Sequence, residues 1–253
     1  MAEQVGPPVT LAGPNGVERV LVVTAHPDDV DFGMAGSVAA WVEAGAKVAY
    51  CVATDGDAGG IDRAAPRKDV ARLRRQEQLA AAAEVGVSEV IFLGYPDGRL
   101  TPSLELRRDV SRVVRQFKPD RLVCQSPEHN WARIGSSHPD HRAAGEAAVC
   151  AAYPDARNPF AHPELLKEGL EPHAVRELWL MASPHPNRAV DITGTFAAKL
   201  AALRHHESQV AHEADLEERL RGWFQEGARL AGLPEGRLAE LFQVVPMPAS
   251  GSS

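Results

Sequence analysis

Thiolate chemistry is the first thing this chain lacks. Its three cysteines, Cys51, Cys124 and Cys150, lie far apart, are odd in number and form no Cys-x-x-Cys pair. That sets aside thiolate zinc sites and dithiol redox chemistry, and a reduced, cytoplasmic protein is the expectation. An excess of basic charge is missing too. The formal net charge of -7 argues against nucleic acid or an anionic membrane as the main partner, because both select basic patches. No apolar stretch approaches the ~20 residues of a membrane span. Residues 1–18 show neither the basic start nor the apolar segment of a signal peptide and read as a Gly/Pro-containing tail.

What is there supports a sizeable core: 253 residues, 44% of them hydrophobic. Short apolar runs alternate with longer helical patterns. Arg19 to Thr24 is a near-continuous β-branched run, as expected of a strand buried on both faces. A helix from about Ala35 to Gly45 follows, then strands at Lys47–Ala53, Glu89–Leu93 and Arg121–Gln125. Helices are expected between them at about Pro66–Val85 and Ser103–Phe117, and another begins near Pro139. This rhythm predicts an α/β fold, a Rossmann-like three-layer sandwich with a mostly parallel sheet. Further on, Tyr153–Pro172 reads as an irregular insertion and Leu178–Met181 as a strand. Two helices over Thr195–Leu230 complete a C-terminal part of helices and strands. One domain over residues 19–245 is expected, with residues 246–253 as a disordered tail.

The architecture suits a dinucleotide-binding enzyme, but the required Gly-x-Gly-x-x-Gly after the first strand is absent. In its place stands His26-Pro27-Asp28-Asp29-Val30-Asp31, whose carboxylates would repel a pyrophosphate unless a cation intervened. In open parallel sheets ligands bind beyond the carboxyl ends of strands, where the strand order reverses. With the common order 3-2-1-4-5, the segment after strand one would meet His138-Pro139-Asp140-His141 after strand four. Imidazole and carboxylate suit Zn²⁺, and a catalytic site needs about three protein ligands plus an open position. Two His and one Asp would meet that need and leave another Asp to handle protons. Aspartates also cap helices, and His-Pro recurs at His162 and His185, so neither cluster decides the matter alone.

Together, Ala25-His26-Pro27-Asp28-Asp29 and His138-Pro139-Asp140-His141 resemble the LmbE-like, or PIG-L, family of zinc-dependent deacetylases. Weaker elements agree: Arg74-x-x-Glu77, Asp97-Gly98, Asp191-Ile192-Thr193, Lys199 and His206-x-Ser208-Gln209. The resemblance implies removal of an N-acetyl group from an N-acetylglucosamine-containing small molecule, with one Zn²⁺ per chain held by His26, Asp29 and His141. It implies Asp28 as general base and His138 acting on the oxyanion or the leaving amine. Asp140 would orient a neighbouring histidine, taken to be His138, and Arg74 and Asp97 would contact substrate. Relatives include hexamers, so a homo-oligomer fits. An amidase cleaving a thiol-sugar conjugate, or a metal-bound sugar-binding protein without turnover, are the competing readings.

Overall fold

The computed structural model of the chain describes residues 9–12, 16–60 and 64–248. Much of the expected N-terminal tail and the last five residues, 249–253, lie outside them. The first half of the chain runs β1 (Thr10–Leu11), β2 (Arg19–Thr24), α1 (Asp29–Gly33), α2 (Ala35–Glu43), β3 (Lys47–Thr54), α3 (Arg67–Glu84) and β4 (Glu89–Tyr95). Then come α4 (Leu104–Phe117), β5 (Arg121–Gln125), α5 (Pro139–Cys150), α6 (Pro163–Lys167), β6 (Glu177–Met181) and β7 (Arg188–Asp191). The chain finishes with α7 (Phe196–Arg204), α8 (Glu207–Val210), α9 (Leu216–Leu230) and β8 (Ala239–Pro246).

The strands form one eight-stranded sheet in the order β1-β7-β8-β6-β5-β2-β3-β4. From β4 to β6 every pairing is parallel, and β2 sits between β3 and β5. The chain winds outward from β2 in one direction through β3 and β4, and from β5 in the other through β6. The reversal point expected from the sequence therefore falls between β2 and β5. Beyond β6 the direction changes, because β8 runs antiparallel to both β6 and β7.

Alternation along β2 feeds two apolar layers. Val20 and Val22 face a cluster with Val38, Trp41, Ala81, Leu203 and Phe242. Leu21 and Val23 face Leu106, Val110, Phe117, Ala144 and Ala147 on the other side. Strands buried on both faces need such continuous apolar runs. The helices have local causes as well. Ser103 caps α4 by accepting the Leu106 N–H, and Lys118 closes it in the left-handed region before Pro119. In α5, a Cβ on Gly145 would lie 2.2 Å from the Gln125 carbonyl oxygen. Only glycine lets that helix approach the end of β5 so closely.

Some elements differ from the sequence reading. A one-turn helix, α1, precedes the expected Ala35 helix, and the C-terminal part has three helices where two are predicted. Thr10 and Leu11, in the expected tail, pair with β7. The Tyr153–Pro172 segment gathers around one guanidinium. Arg115 donates to the carbonyls of Asp155, Ala156, Asn158, Ala161 and Leu170, so a buried cation ties together the turns on either side of the short α6.

Candidate active site

The two polar clusters meet at the carboxyl ends of β2 and β5. The Ala25 N–H donates to Gln125 Oε1 at 3.2 Å and to Asp29 Oδ2 at 3.1 Å, which fixes the two strand ends against each other. The His26 N–H also donates to Asp29 Oδ2, at 2.7 Å. Asp29 is thus oriented by the backbone, and its Oδ1 lies 3.0 Å from His141 Nε2. The rings of His26, His138 and His141 form a triangle with centroids 5.2–5.3 Å apart.

Each ring nitrogen has a readable role. His26 Nε2 lies 3.1 Å from Asp97 Oδ1 and 3.3 Å from Asp140 Oδ2, and its Nδ1 is 3.6 Å from Asp29 Oδ2. His141 Nδ1 sits 3.4 Å from the Ser136 carbonyl. Both rings have a hydrogen-bond acceptor on one nitrogen and face the Asp29 carboxylate with the other, so a cation seated against Asp29 would displace the inner ring protons and leave the outer acceptors in the usual arrangement of metal-ligating imidazoles. His138 differs. Its Nδ1 accepts the Asp140 backbone N–H at 3.2 Å, so the proton of the neutral ring resides on Nε2.

Among the described residues, two sets of groups have ligand atoms all within 4.8 Å of one another: His26, His138 and His141, and His26, Asp97 and Asp140. Distance alone favours these sets, whereas chemistry favours Asp29 as the third partner of His26 and His141. A ligating His138 Nε2 would have to give up its proton, leaving an Nδ1–H pointed at the Asp140 N–H. Asp140 is itself fully engaged, accepting from the backbone N–H groups of Gly98 at 2.7 Å and Leu100 at 3.2 Å. Asp97 accepts the Ala58 N–H at 2.8 Å.

The electrostatics show a site built around positive charge. Burial pulls the His26 pKa down, but hydrogen bonds to Asp29 and Asp97 outweigh it and push the value up to about 11. Burial likewise opposes ionisation of Asp29, yet His141 and His26 hold it well below the ordinary carboxylate range. His138 shifts the other way, lowered by burial and by the neighbouring rings of His141 and His26. Asp28 is pushed up to about 6, chiefly by burial and further by Asp29, with Arg74 opposing. Four carboxylates around three imidazoles, with donors turned outward, suit a bound divalent cation.

Asp28 has a backbone φ of 91°, a left-handed conformation that costs a non-glycine residue and recurs at functional sites. Arg74 holds it there, donating to Asp28 Oδ2 at 2.9 Å, to the Pro27 carbonyl at 2.7 Å and to the Gly56 carbonyl at 2.8 Å. Arg74 is 4% exposed. Its two terminal nitrogens and the Asp97 carboxylate bind protein groups here; the sequence reading had both residues touching substrate. Asp140 also stands differently from expectation, since its carboxylate meets His26 and only its backbone meets His138. Residues two apart at a helix start do not share a face.

The sequence reading missed Gln78, which accepts the Asp28 N–H, and Gln125. It named Lys199 and His206 without placing them. Helical spacing was the available signal for Gln78, because Arg74 and Gln78 are four apart on α3 and so share a face. Of the other histidines, His162 lies against Asp155, His173 against the Pro119 carbonyl and His185 against Glu128, all away from this site. Asp191 binds Thr193 and Arg237 and is likewise elsewhere.

Residues 21–152 match the PIG-L family, described as GlcNAc-PI de-N-acetylase. The chain belongs to this family. It is 32% identical over 199 residues to diacetylchitobiose deacetylase of Thermococcus kodakarensis, covering 77% of this chain and 71% of that protein. It is 29% identical to a probable N-acetyl-α-D-glucosaminyl L-malate deacetylase 2 of Bacillus cereus, covering 79% and 86%. The structure of N,N'-diacetylchitobiose deacetylase from Pyrococcus horikoshii, complexed with its inhibitor MPG, superposes with a TM-score of 0.84 at 30% identity. That match covers 91% of this chain and 85% of the other.

Proposed function

We propose that this chain is a zinc-dependent N-deacetylase that acts on an N-acetylglucosamine-containing small molecule. The observation that carries the reading is the nitrogen assignment. His26 Nδ1 and His141 Nε2 face the Asp29 carboxylate, at 3.6 and 3.0 Å, while their other nitrogens meet Asp97, Asp140 and the Ser136 carbonyl. These three residues would hold the ion, one per chain. Bound there, zinc supplies a Lewis acid that polarises the acetyl carbonyl and acidifies water.

The chain's own residues do the rest. Asp28 takes the proton from the attacking water, and its pKa of about 6 lies near the range where a general base works best. A neighbouring cation draws that value down somewhat, keeping the carboxylate ionised. His138 offers a neutral Nε2–H to the carbonyl oxygen as charge develops on it, an oxyanion-hole role. An imidazolium at His138 would set an Nδ1–H against the Asp140 N–H, so the leaving amine receives its proton from Asp28. Arg74 and Asp97 act as positioning groups, on Asp28 and His26 respectively. Asp140 fixes His26 through its carboxylate and His138 through its N–H.

Among the described residues no helix is long and apolar enough to cross a membrane. A small aminosugar glycoside is the substrate class, and homo-oligomer formation is part of this reading, checked by sedimentation. The test is amine release from diacetylchitobiose, N-acetylglucosaminyl malate and N-acetylglucosaminyl inositol, with metal-stripped and zinc-restored protein. Release that stops on stripping and returns with zinc is the expected result. Cleavage of a thiol-sugar conjugate, with all three acetylated glycosides left intact, would instead establish the amidase alternative.

A further inference from the structure

Behind the proposed base lies a buried polar chain that the mechanism above does not use. The Asp28 N–H donates to Gln78 Oε1 at 2.9 Å, and Gln78 Nε2 donates to Asp31 Oδ2 at 3.0 Å. The same Asp31 oxygen lies 2.8 Å from His206 Nε2. Gln78, Asp31 and His206 are all 0% exposed. The carboxamide has one workable orientation, because a backbone N–H can only donate and an ionised carboxylate can only accept.

We propose that Gln78 is a positioning residue for the deacetylation reaction, holding Asp28 in its left-handed conformation, and that Asp31 and His206 hold Gln78. The inference rests on Asp28 being the base. A non-glycine residue at φ 91° persists only where its surroundings over-determine it. Two groups one helical turn apart on α3 do so here. Arg74 grips the Asp28 carboxylate and the Pro27 carbonyl, and Gln78 grips the Asp28 N–H. Without that acceptor the part-buried N–H loses its protein partner, which is costly to the degree that water cannot replace it, and the peptide is free to turn the carboxylate away.

The support continues into distant parts of the chain. Asp31 is on α1, and Lys199 Nζ on α7 donates to the Asp31 and Phe32 carbonyls at 2.8 and 2.9 Å. Beside His206, the Ser208 N–H and Oγ bind the Glu77 carboxylate at 2.8 and 2.7 Å, so α8 is hooked to α3 next to Gln78. The C-terminal helices thereby set the geometry of a residue nearly two hundred positions earlier. In this view the His206-x-Ser208 element works through Gln78 and Asp31, at one remove from substrate.

The test compares Gln78→Met and Gln78→Glu with the unsubstituted, zinc-loaded chain, reading kcat, KM and bound metal per chain. In Gln78→Met, kcat should fall on the order of tenfold to a hundredfold, the scale of a small misplacement of a reacting group. KM should stay within about twofold and metal content should not change, because Gln78 touches neither proposed ligand nor substrate. Gln78→Glu, protonated in that buried setting, keeps an acceptor for Asp28 and a donor for Asp31, and should recover most of the lost kcat. If Gln78→Met does not fold, Gln78→Ala, a good helix former, takes its place with the same expectation. An unchanged kcat overturns the inference, as does a loss shared by KM and metal content, or an equal loss in the Glu variant. A wild-type chain that releases no amine from any of the glycosides overturns the deacetylase reading, and this inference with it.

Discussion

Between β4 and β6 all strand pairs are parallel and their carboxyl ends open on one rim, whereas beyond β6 the strand β8 is inserted antiparallel between β6 and β7. The first region carries every proposed catalytic residue except its distant supports. The second carries none, yet it reaches into the site from below. Glu240 on β8 is fully buried, pairs with Lys199 at 2.8 Å, and accepts the N–H groups of Gly36 and Ser37 at the start of α2. Lys199 in turn holds the α1 carbonyls that follow Asp29. Parallel strand ends supply the chemistry, and the one reversed strand, β8, supplies a buried charge that fixes the helix bearing it. Substitutions in the two regions should therefore separate activity from stability.

The largest expected effect is on the parallel side. His141→Ala should abolish turnover and strip the chain of metal, measured by metal analysis after dialysis, while the melting temperature of the metal-free protein changes little. Full metal occupancy in that variant would remove His141 from the ligand set. Next, Lys199→Met leaves Glu240 buried without its cation, and breaking such a pair costs roughly 3–5 kcal/mol. Denaturant titration should show that loss, and the protein that remains folded should keep kcat within several-fold. A severe loss of kcat at unchanged stability would erase the distinction between the regions.

A subtler effect concerns pH. Burial lowers the His206 pKa, but the hydrogen bond and charge of Asp31, helped by Asp28 and Glu77, raise it above the ordinary 6.5. Its contribution to stability is complete below that ordinary value and is lost as pH rises through the raised folded value. The stability gap between wild type and His206→Gln should therefore shrink on going from mildly acidic to alkaline pH, as read from denaturant midpoints. A gap that widens would mean that His206 is buried neutral. The smallest effect belongs to the sheet edge. β1 adds the bonds Thr10 N–H to Asn187 and Ala12 N–H to Ala189. Removing residues 1–12 should cost only about 1–2 kcal/mol, from two exposed-edge hydrogen bonds, and leave kcat unchanged.

The same two regions differ in how far the amino-acid sequence reveals them. The strands of the parallel part are runs such as RVLVVT and KVAYCVA, buried on both faces, and their order follows from the common doubly wound pattern. β7 has only four residues, and β8 breaks its apolar run with Gln243, because one side of it is only partly buried. Neither carries a period strong enough to read. Within the site, His26 to Asp29 and His138 to His141 stand out because polar residues crowd the ends of apolar strands. Arg74, Gln78 and Asp97 do not, because their role depends on which way α3 and the segment after β4 face. A charged helix such as RKDVARLRRQEQ looks solvated until its packing is known. The two histidines of the second cluster are alike in sequence, and a backbone group meets Nδ1 in both, but it is an N–H donor at His138 and a carbonyl acceptor at His141.

The central claim is that adjacent aspartates have divided duties, Asp29 holding the ion and Asp28 moving the proton. Bound zinc and turnover measured side by side for Asp28→Asn and Asp29→Asn test it most directly. Asp28→Asn should keep one zinc per chain and lose about a hundredfold or more in kcat, the size of a general-base effect, while Asp29→Asn should lose the zinc itself. Zinc lost from Asp28→Asn, or turnover retained in it, would contradict the account.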